Sequence, residues 1–203
     1  MSLKDTYNRL AEDWCEDHRV DTWWIEGVDA FASLLKSESL VLDLGCGGGD
    51  KSNYLIQKGL SVVGIDFSEK MIEIAKRTAP LGTFHVMNLK DVSRLPGLFD
   101  GILAQAVLLH VSKAEMAAVM DGLRSKLKDG GFLAVAVKEA RSGQQEEEMK
   151  VENDYGYPYE RFFSYFTLPE VRKVFTDAGM SVYSESITHV GHTRWIQVIG
   201  QKA

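Results

Sequence analysis

Cysteine is scarce in this chain: Cys15 and Cys46 are the two it has. Two thiols do not make a disulfide framework, and no zinc-type spacing accompanies them, so neither staples nor a metal is expected. Proline is sparse as well, with four residues, and no proline-rich or Gly/Ser-rich linker divides the chain. No apolar run approaches the length of a membrane span, and Met1 to Asp5 hold no apolar leader segment. The expectation is a cytoplasmic protein that does not touch a membrane. Positive charge is in the minority, with 23 Lys and Arg against 29 Asp and Glu and a net charge of −6. That balance argues against a nucleic-acid partner, since phosphate contacts by clustered cations supply most such affinity.

What the chain does have is one organising stretch, Leu40-Val41-Leu42-Asp43-Leu44 followed by Gly45-Cys46-Gly47-Gly48-Gly49. An apolar run that stops at glycines reads as a buried parallel strand ending in a tight turn. An amphipathic segment, Lys51 to Lys58, follows as a helix whose N-terminus faces the turn. Two cofactor classes use this opening. The dinucleotide pattern G-x-G-x-x-G needs a third glycine at position 50, where this chain has Asp50, and a carboxylate there would repel a pyrophosphate. The pattern present is G-x-G-x-G with Asp43 two residues upstream. It resembles the first motif of the class I S-adenosylmethionine-dependent methyltransferases, whose cofactor has no phosphate and carries a cationic sulfonium.

The chain in order extends that resemblance. Two helices, near residues 4–17 and 22–36, precede the first strand; Tyr7, Ala11 and Trp14 match a Tyr-x-x-x-Ala-x-x-aromatic segment of the family. The resemblance implies that residues 1–38 form a helical lid, with Tyr7 or Trp14 against the sulfonium. Amphipathic packing on the sheet is the other reading. A second buried strand, Leu60 to Ile65, ends at Asp66, about 20 residues past the first glycine, the place of a carboxylate that accepts ribose hydroxyls. Ser68 is the better cap for the next helix, which leaves Asp66 free for that role. Thr83 to Met87 reads as a third strand, followed by Asn88 where the family usually has an acidic residue on the adenine; Asp91 is the alternative. Phe67, Met71, Asn88 and Leu89 would then form the adenine slot. Gly45, Cys46 and Gly47 would approach the methionine and ribose, and Asp43 would order the turn and reach the ammonium through water.

A fourth strand, Phe99 to Ala104, leads into Gln105-Ala106-Val107-Leu108-Leu109-His110, similar to the family's fourth motif. The resemblance places Ala104 and Gln105 on the cofactor and His110 near the acceptor, where a histidine is more often a packing or hydrogen-bonding residue and a base is the alternative. A helix over Lys113 to Lys128, capped by Ser112 with Glu115 in the capping-box place, precedes a fifth strand over 132–137. Residues 141–154 are polar without an apolar period and read as an exposed insertion. The segment 155–166 is aromatic at seven of twelve positions. It reads either as cover for the sheet edge or as an acceptor pocket of Tyr155, Tyr159, Arg161 and Tyr165, with Arg161 available to an anion. A helix from Thr167 to Ala178 and a hairpin near 180–188 and 193–201 complete the chain, with His189 and His192 in its loop.

Alternating strands and helices predict an α/β fold. The resemblance makes it a Rossmann-like three-layer sandwich, with a seven-stranded, mostly parallel sheet and an antiparallel C-terminal hairpin strand. Residues 1–203 read as one domain with its core over 40–203. The implied activity is methyl transfer from S-adenosylmethionine to an unidentified small-molecule acceptor, giving S-adenosylhomocysteine, without a metal. A non-catalytic S-adenosylmethionine-binding module acting through a protein partner is the alternative. A nicotinamide-dependent enzyme is a third reading, opposed by Asp50 and the terminal hairpin.

Overall fold

The computed structural model describes residues 2–203. The apolar runs become strands β1 (Leu40–Leu44), β2 (Ser61–Asp66), β3 (Thr83–Val86), β4 (Phe99–Gln105) and β5 (Leu127–Lys138). The amphipathic segments become helices α1 (Leu3–His18), α2 (Ile25–Ala32), α3 (Asp50–Gln57), α4 (Glu69–Thr78) and α5 (Lys113–Lys126). After β5 come β6 (Glu147–Glu152), β7 (Tyr159–Ser164), α6 (Leu168–Asp177), β8 (Met180–Val190) and β9 (Thr193–Lys202).

Seven strands form one sheet in the order β3-β2-β1-β4-β5-β9-β8. Strands β1 to β5 run parallel, and β9 is antiparallel to both of its neighbours. Side chains alternate across the strands, so each strand feeds two cores. Val41, Val62, Leu103 and Ile199 pack on Val28 and Phe31 of α2 and Leu55 of α3. Leu42, Ile102, Leu133 and Val198 pack in the cluster that holds Met120 and Leu123 of α5 and Phe175 of α6. This is the three-layer sandwich the family resemblance implies. Strand order reverses between β1 and β4, so a crevice opens at their carboxyl ends, where open α/β sheets bind ligands. Gly45, Asp66, Gln105 and Lys138 all stand at or just past the carboxyl ends of parallel strands.

The local signals hold at several helix ends. Ser68 Oγ accepts the Met71 N–H at the start of α4. Thr167 and Glu170 form a reciprocal capping box at α6. At α5, Ser112 is the N-cap residue, but its hydroxyl donates to the Glu115 carboxylate (2.8 Å) and makes no bond to the helix backbone. That helix stops at Lys126, and buried Leu127 already belongs to β5, opposite Phe99.

The largest departure is at residues 141–154. Part of the expected irregular insertion is strand β6, paired antiparallel with β7 in a separate two-stranded sheet. Its charges obscure the strand because Met149 and Val151 face solvent while the Glu152 side chain turns inward to Arg161. At the far hairpin the loop is shorter than expected, and His189 lies within β8 opposite Arg194.

Candidate active site

The turn after β1 has the backbone that its glycines permit. Gly45 has φ +67°, and a Cβ there would lie 2.3 Å from Val107 Cγ2. Gly47 has φ +51°, and no atom lies within 4 Å of where its Cβ would be. The turn is therefore closed against the protein at Gly45 and open for a ligand at Gly47. Asp66 braces it from the end of β2. Its Oδ2 accepts the Gly47 N–H (3.1 Å) and its Oδ1 the Ser68 N–H (2.9 Å). One donor on each oxygen leaves each with a further acceptor site toward the crevice. Burial raises the Asp66 pKa to about 6 against the two backbone donors, which lower it.

Asp43 stands apart from the cavities. It is buried behind the turn, lines none of the cavities described here, and accepts the Ser52 hydroxyl of α3 at 2.6 Å. Burial raises its pKa to about 6. Its work is to tie β1 to α3. The Cys46 side chain likewise points away, into a cluster with Ile72, Ala75, Ala79 and Phe84, while the residue's backbone stays on the turn.

Three adjoining cavities follow the strand ends. The smallest, about 110 Å³, lies over the glycine turn. It is lined by Tyr7, Trp14, Gly45, Cys46, Gly47, Asp66, Phe67, Met71 and Gln105, nine of the residues singled out from the sequence. The second, about 880 Å³, is reached past Phe67 and is lined by Asn88, Leu89 and Asp91 among others. Asn88 and Asp91 both face it. Asn88 Oδ1 already accepts the Lys90 N–H (3.0 Å), and Asp91 pairs with Arg94 (3.2 Å). Ala104 lines no cavity and is wholly buried in the core. Strand alternation turns it inward, and Ala106, with φ +57°, faces the site in its stead. Gln105 Nε2 is buried without a hydrogen-bond partner among the described residues. An unpaired buried donor costs about 1–3 kcal/mol, which a ligand acceptor would offset.

The third cavity, about 300 Å³, continues from the first past Tyr7, Trp14, Ala106 and His110. His110 borders all three. Its Nδ1 lies 2.7 Å from the Phe162 carbonyl and so carries the proton. Nε2 is then the acceptor for the Tyr7 hydroxyl at 2.9 Å. Burial lowers the His110 pKa to about 4, which keeps the ring neutral. The Tyr7 oxygen in turn accepts Arg161 Nη1 (3.3 Å). Glu152 holds the Arg161 guanidinium in a fork, at 2.6 Å to Nε and 2.9 Å to Nη2. This chain of bonds joins α1, β6, β7 and the short turn carrying His110.

The expected acceptor residues are separated by the fold. Tyr155 and Arg161 face the third cavity, but the charge of Arg161 is taken by Glu152. Tyr159 is buried and donates to Asp154 (2.7 Å). Tyr165 faces a different cavity, about 190 Å³, and donates to Glu148 (2.6 Å). The sequence reading missed Lys138, Trp23, Trp195 and His18 on the third cavity. Lys138 ends β5 as Asp66 ends β2, and that position is the signal that would have found it.

The profile of the family described as "Methyltransferase domain" matches residues 17–185. The chain belongs to this methyltransferase family. An uncharacterized methyltransferase of Synechocystis is 36% identical over 95 residues, 47% of this chain and 45% of that protein. The ubiquinone biosynthesis O-methyltransferase of Chromobacterium violaceum is 26% identical over 142 residues, 64% of this chain and 59% of that protein. The chain thus spans about half to three fifths of the length of these curated relatives. Among solved structures, the 1,6-didemethyltoxoflavin-N1-methyltransferase of Burkholderia thailandensis, with 1,6-didemethyltoxoflavin and S-adenosylhomocysteine bound, superposes with a TM-score of 0.78 at 18% identity, covering 99% of this chain and 87% of that one. Magnesium protoporphyrin IX methyltransferase of Synechocystis, with S-adenosylhomocysteine bound, gives 0.76 at 21% identity over 99% of this chain and 98% of that one. At such identities the likeness is one of fold.

Proposed function

We propose that the chain transfers a methyl group from S-adenosylmethionine to a small-molecule acceptor and leaves S-adenosylhomocysteine. The observation that carries this reading is the Asp66 carboxylate, braced by Gly47 and Ser68, in one cavity with the open face of Gly47 and the unpartnered Gln105 Nε2. Those three features fit an adenosyl amino acid. Asp66 keeps an acceptor site on each oxygen for the ribose hydroxyls. Gln105 Nε2 would donate to the methionine carboxylate, and Tyr7, Trp14 and Phe67 offer ring surface to a sulfonium. Met71 would pack beside the ribose, and the adenine would lie along Phe67 and Leu89 with Asn88 or Asp91 on its amino group.

When bound, S-adenosylmethionine supplies an electrophilic methyl carbon on a sulfonium sulfur. The protein's contribution is then chiefly alignment of two reactants. The Tyr7–His110 pair stands where the cofactor cavity meets the third cavity, which is the position of an aligning group. His110 serves as a base only once Tyr7 gives up Nε2; in the state described here it orients the tyrosine. A cytoplasmic location is part of the proposal, and it accords with both thiols being free.

Calorimetric titration with S-adenosylmethionine, S-adenosylhomocysteine and NADH tests the reading. Micromolar binding of both adenosyl ligands and none of NADH is expected. A folded protein that binds neither adenosyl ligand would overturn it.

A further inference from the structure

The third cavity has a composition of its own. Two flat aromatic stacks border it: Trp23 on Trp195, with centroids 4.2 Å apart and planes at 19°, and Trp14 on His18, at 3.7 Å and 20°. Between β5 and β9, Lys138 stands directly opposite Trp195, so the two side chains share a face of the sheet. The Lys138 Nζ lies 4.3 Å from the centre of the Phe163 ring and 5.8 Å from that of Trp195. Among the described residues it makes no ion pair and no hydrogen bond. Arg161, also on this cavity, is neutralised by Glu152. The carboxylates that face the cavity are Asp17 and Asp154, which accept the hydroxyls of Tyr155 (3.3 Å) and Tyr159 (2.7 Å), and Asp21, whose side chain makes no hydrogen bond or ion pair among the described residues.

An ammonium set among rings without a counter-charge is costly, and a ligand anion removes that cost. Burial and the nearby charges of Arg161 and Lys150 lower the Lys138 pKa to about 8, so the group remains mostly charged at neutral pH. At about 300 Å³ the cavity is at the small end for ligand sites, the size of a single ring with its substituents. It opens past Tyr7 and His110 onto the cavity assigned to the cofactor, so its occupant sits within reach of a transferred group.

We propose that the acceptor is a single-ring aromatic acid, held flat among Trp23, Trp195 and Phe163 with its carboxylate on the Lys138 ammonium. This rests on the methyl-transfer reading, of which it names the acceptor class. The test uses the intact chain saturated with S-adenosylhomocysteine, titrated with 4-hydroxybenzoate and with its neutral isostere 4-hydroxybenzamide, by tryptophan fluorescence quenching and calorimetry. The acid should bind about tenfold tighter than the amide, Lys138→Gln should erase that preference, and Lys138→Arg should keep it. In Lys138→Gln the affinities for the amide and for S-adenosylhomocysteine should stay within about threefold, which shows that the fold and cofactor site are intact. An acid no tighter than the amide, binding of neither, or a preference that survives Lys138→Gln overturns the proposal while leaving the cofactor assignment standing. Failure to bind S-adenosylhomocysteine at all would bring down the methyl-transfer reading and this proposal with it.

Discussion

Replacing Asp66 by Asn separates the two tasks given to that side chain. In the native protein each carboxylate oxygen takes one backbone donor, Gly47 N–H at 3.1 Å and Ser68 N–H at 2.9 Å. An amide presents one oxygen and one NH2, so one backbone N–H must face another donor, at a cost of about 1–3 kcal/mol. Against this, Asn removes a charge that burial penalises. A pKa moved from 3.8 to about 6 is about two units, or about 3 kcal/mol. The second effect equals or exceeds the first, so the thermal midpoint of Asp66→Asn at pH 7.5 should not fall below that of the parent. Ligand affinity has no such compensation. Each lost hydrogen bond to the carboxylate is worth about 1.5–3 kcal/mol, so S-adenosylhomocysteine should bind about ten- to a hundredfold more weakly.

The pH dependence has opposite signs for the two properties. The folded protein holds the Asp66 proton more tightly than the unfolded chain does. The group's stabilising contribution is therefore full below its unfolded pKa and is lost as pH rises through about 6. Ligand binding uses the ionised form, so affinity should fall as pH drops below about 6 in the parent and stay flat in Asp66→Asn. Calorimetry from about pH 5 to 8, with thermal unfolding alongside, reads both. An affinity in the variant within about threefold of the parent, or a flat parent profile, refutes the ribose role of Asp66.

Further substitutions probe the rest of the site. Gly45→Ala places a Cβ 2.3 Å from Val107 Cγ2 at φ +67°; it should lower the thermal midpoint and cost S-adenosylhomocysteine at least about tenfold in affinity by calorimetry. Tyr7→Phe removes the donor on His110 Nε2, and the ring's titration by NMR should move up from about 4; an unmoved titration means the bond does not form in solution. Glu152→Gln leaves the buried Arg161 guanidinium without its counter-charge and should cost about 3–5 kcal/mol in urea unfolding, whereas a loss under about 1 kcal/mol would show that the pair is solvated.

Much of this was legible because the parallel strands are apolar runs that end on chemically distinct residues. Leu40–Leu44 ends at glycine and Ser61–Asp66 at a carboxylate, and Ser68 is there to cap the following helix, so Asp66 could be assigned away from capping. What was illegible depends on pairing across distance. In the sequence Glu152 belongs to an exposed polar insertion and Arg161 stands available to an anion, and only the β6–β7 ladder makes them a buried pair. Ala104 was misplaced because a strand's two faces alternate residue by residue, and sequence alone does not say which face meets the crevice. Lys138 passed as the ordinary polar end of a strand; its isolation follows from Phe163 and Trp195, which come from later strands.

The position of β9 also has a consequence for how the chain is made. Its residues are synthesised after β8, yet the strand lies between β5 and β8. Until residue 202 has left the ribosome, β5 presents an open edge along the apolar run from Phe132 to Val137, and β8 has no neighbour to join. Open apolar edges invite pairing with other chains. Strand β9 is thus the keystone that closes the edges of both β5 and β8 at once.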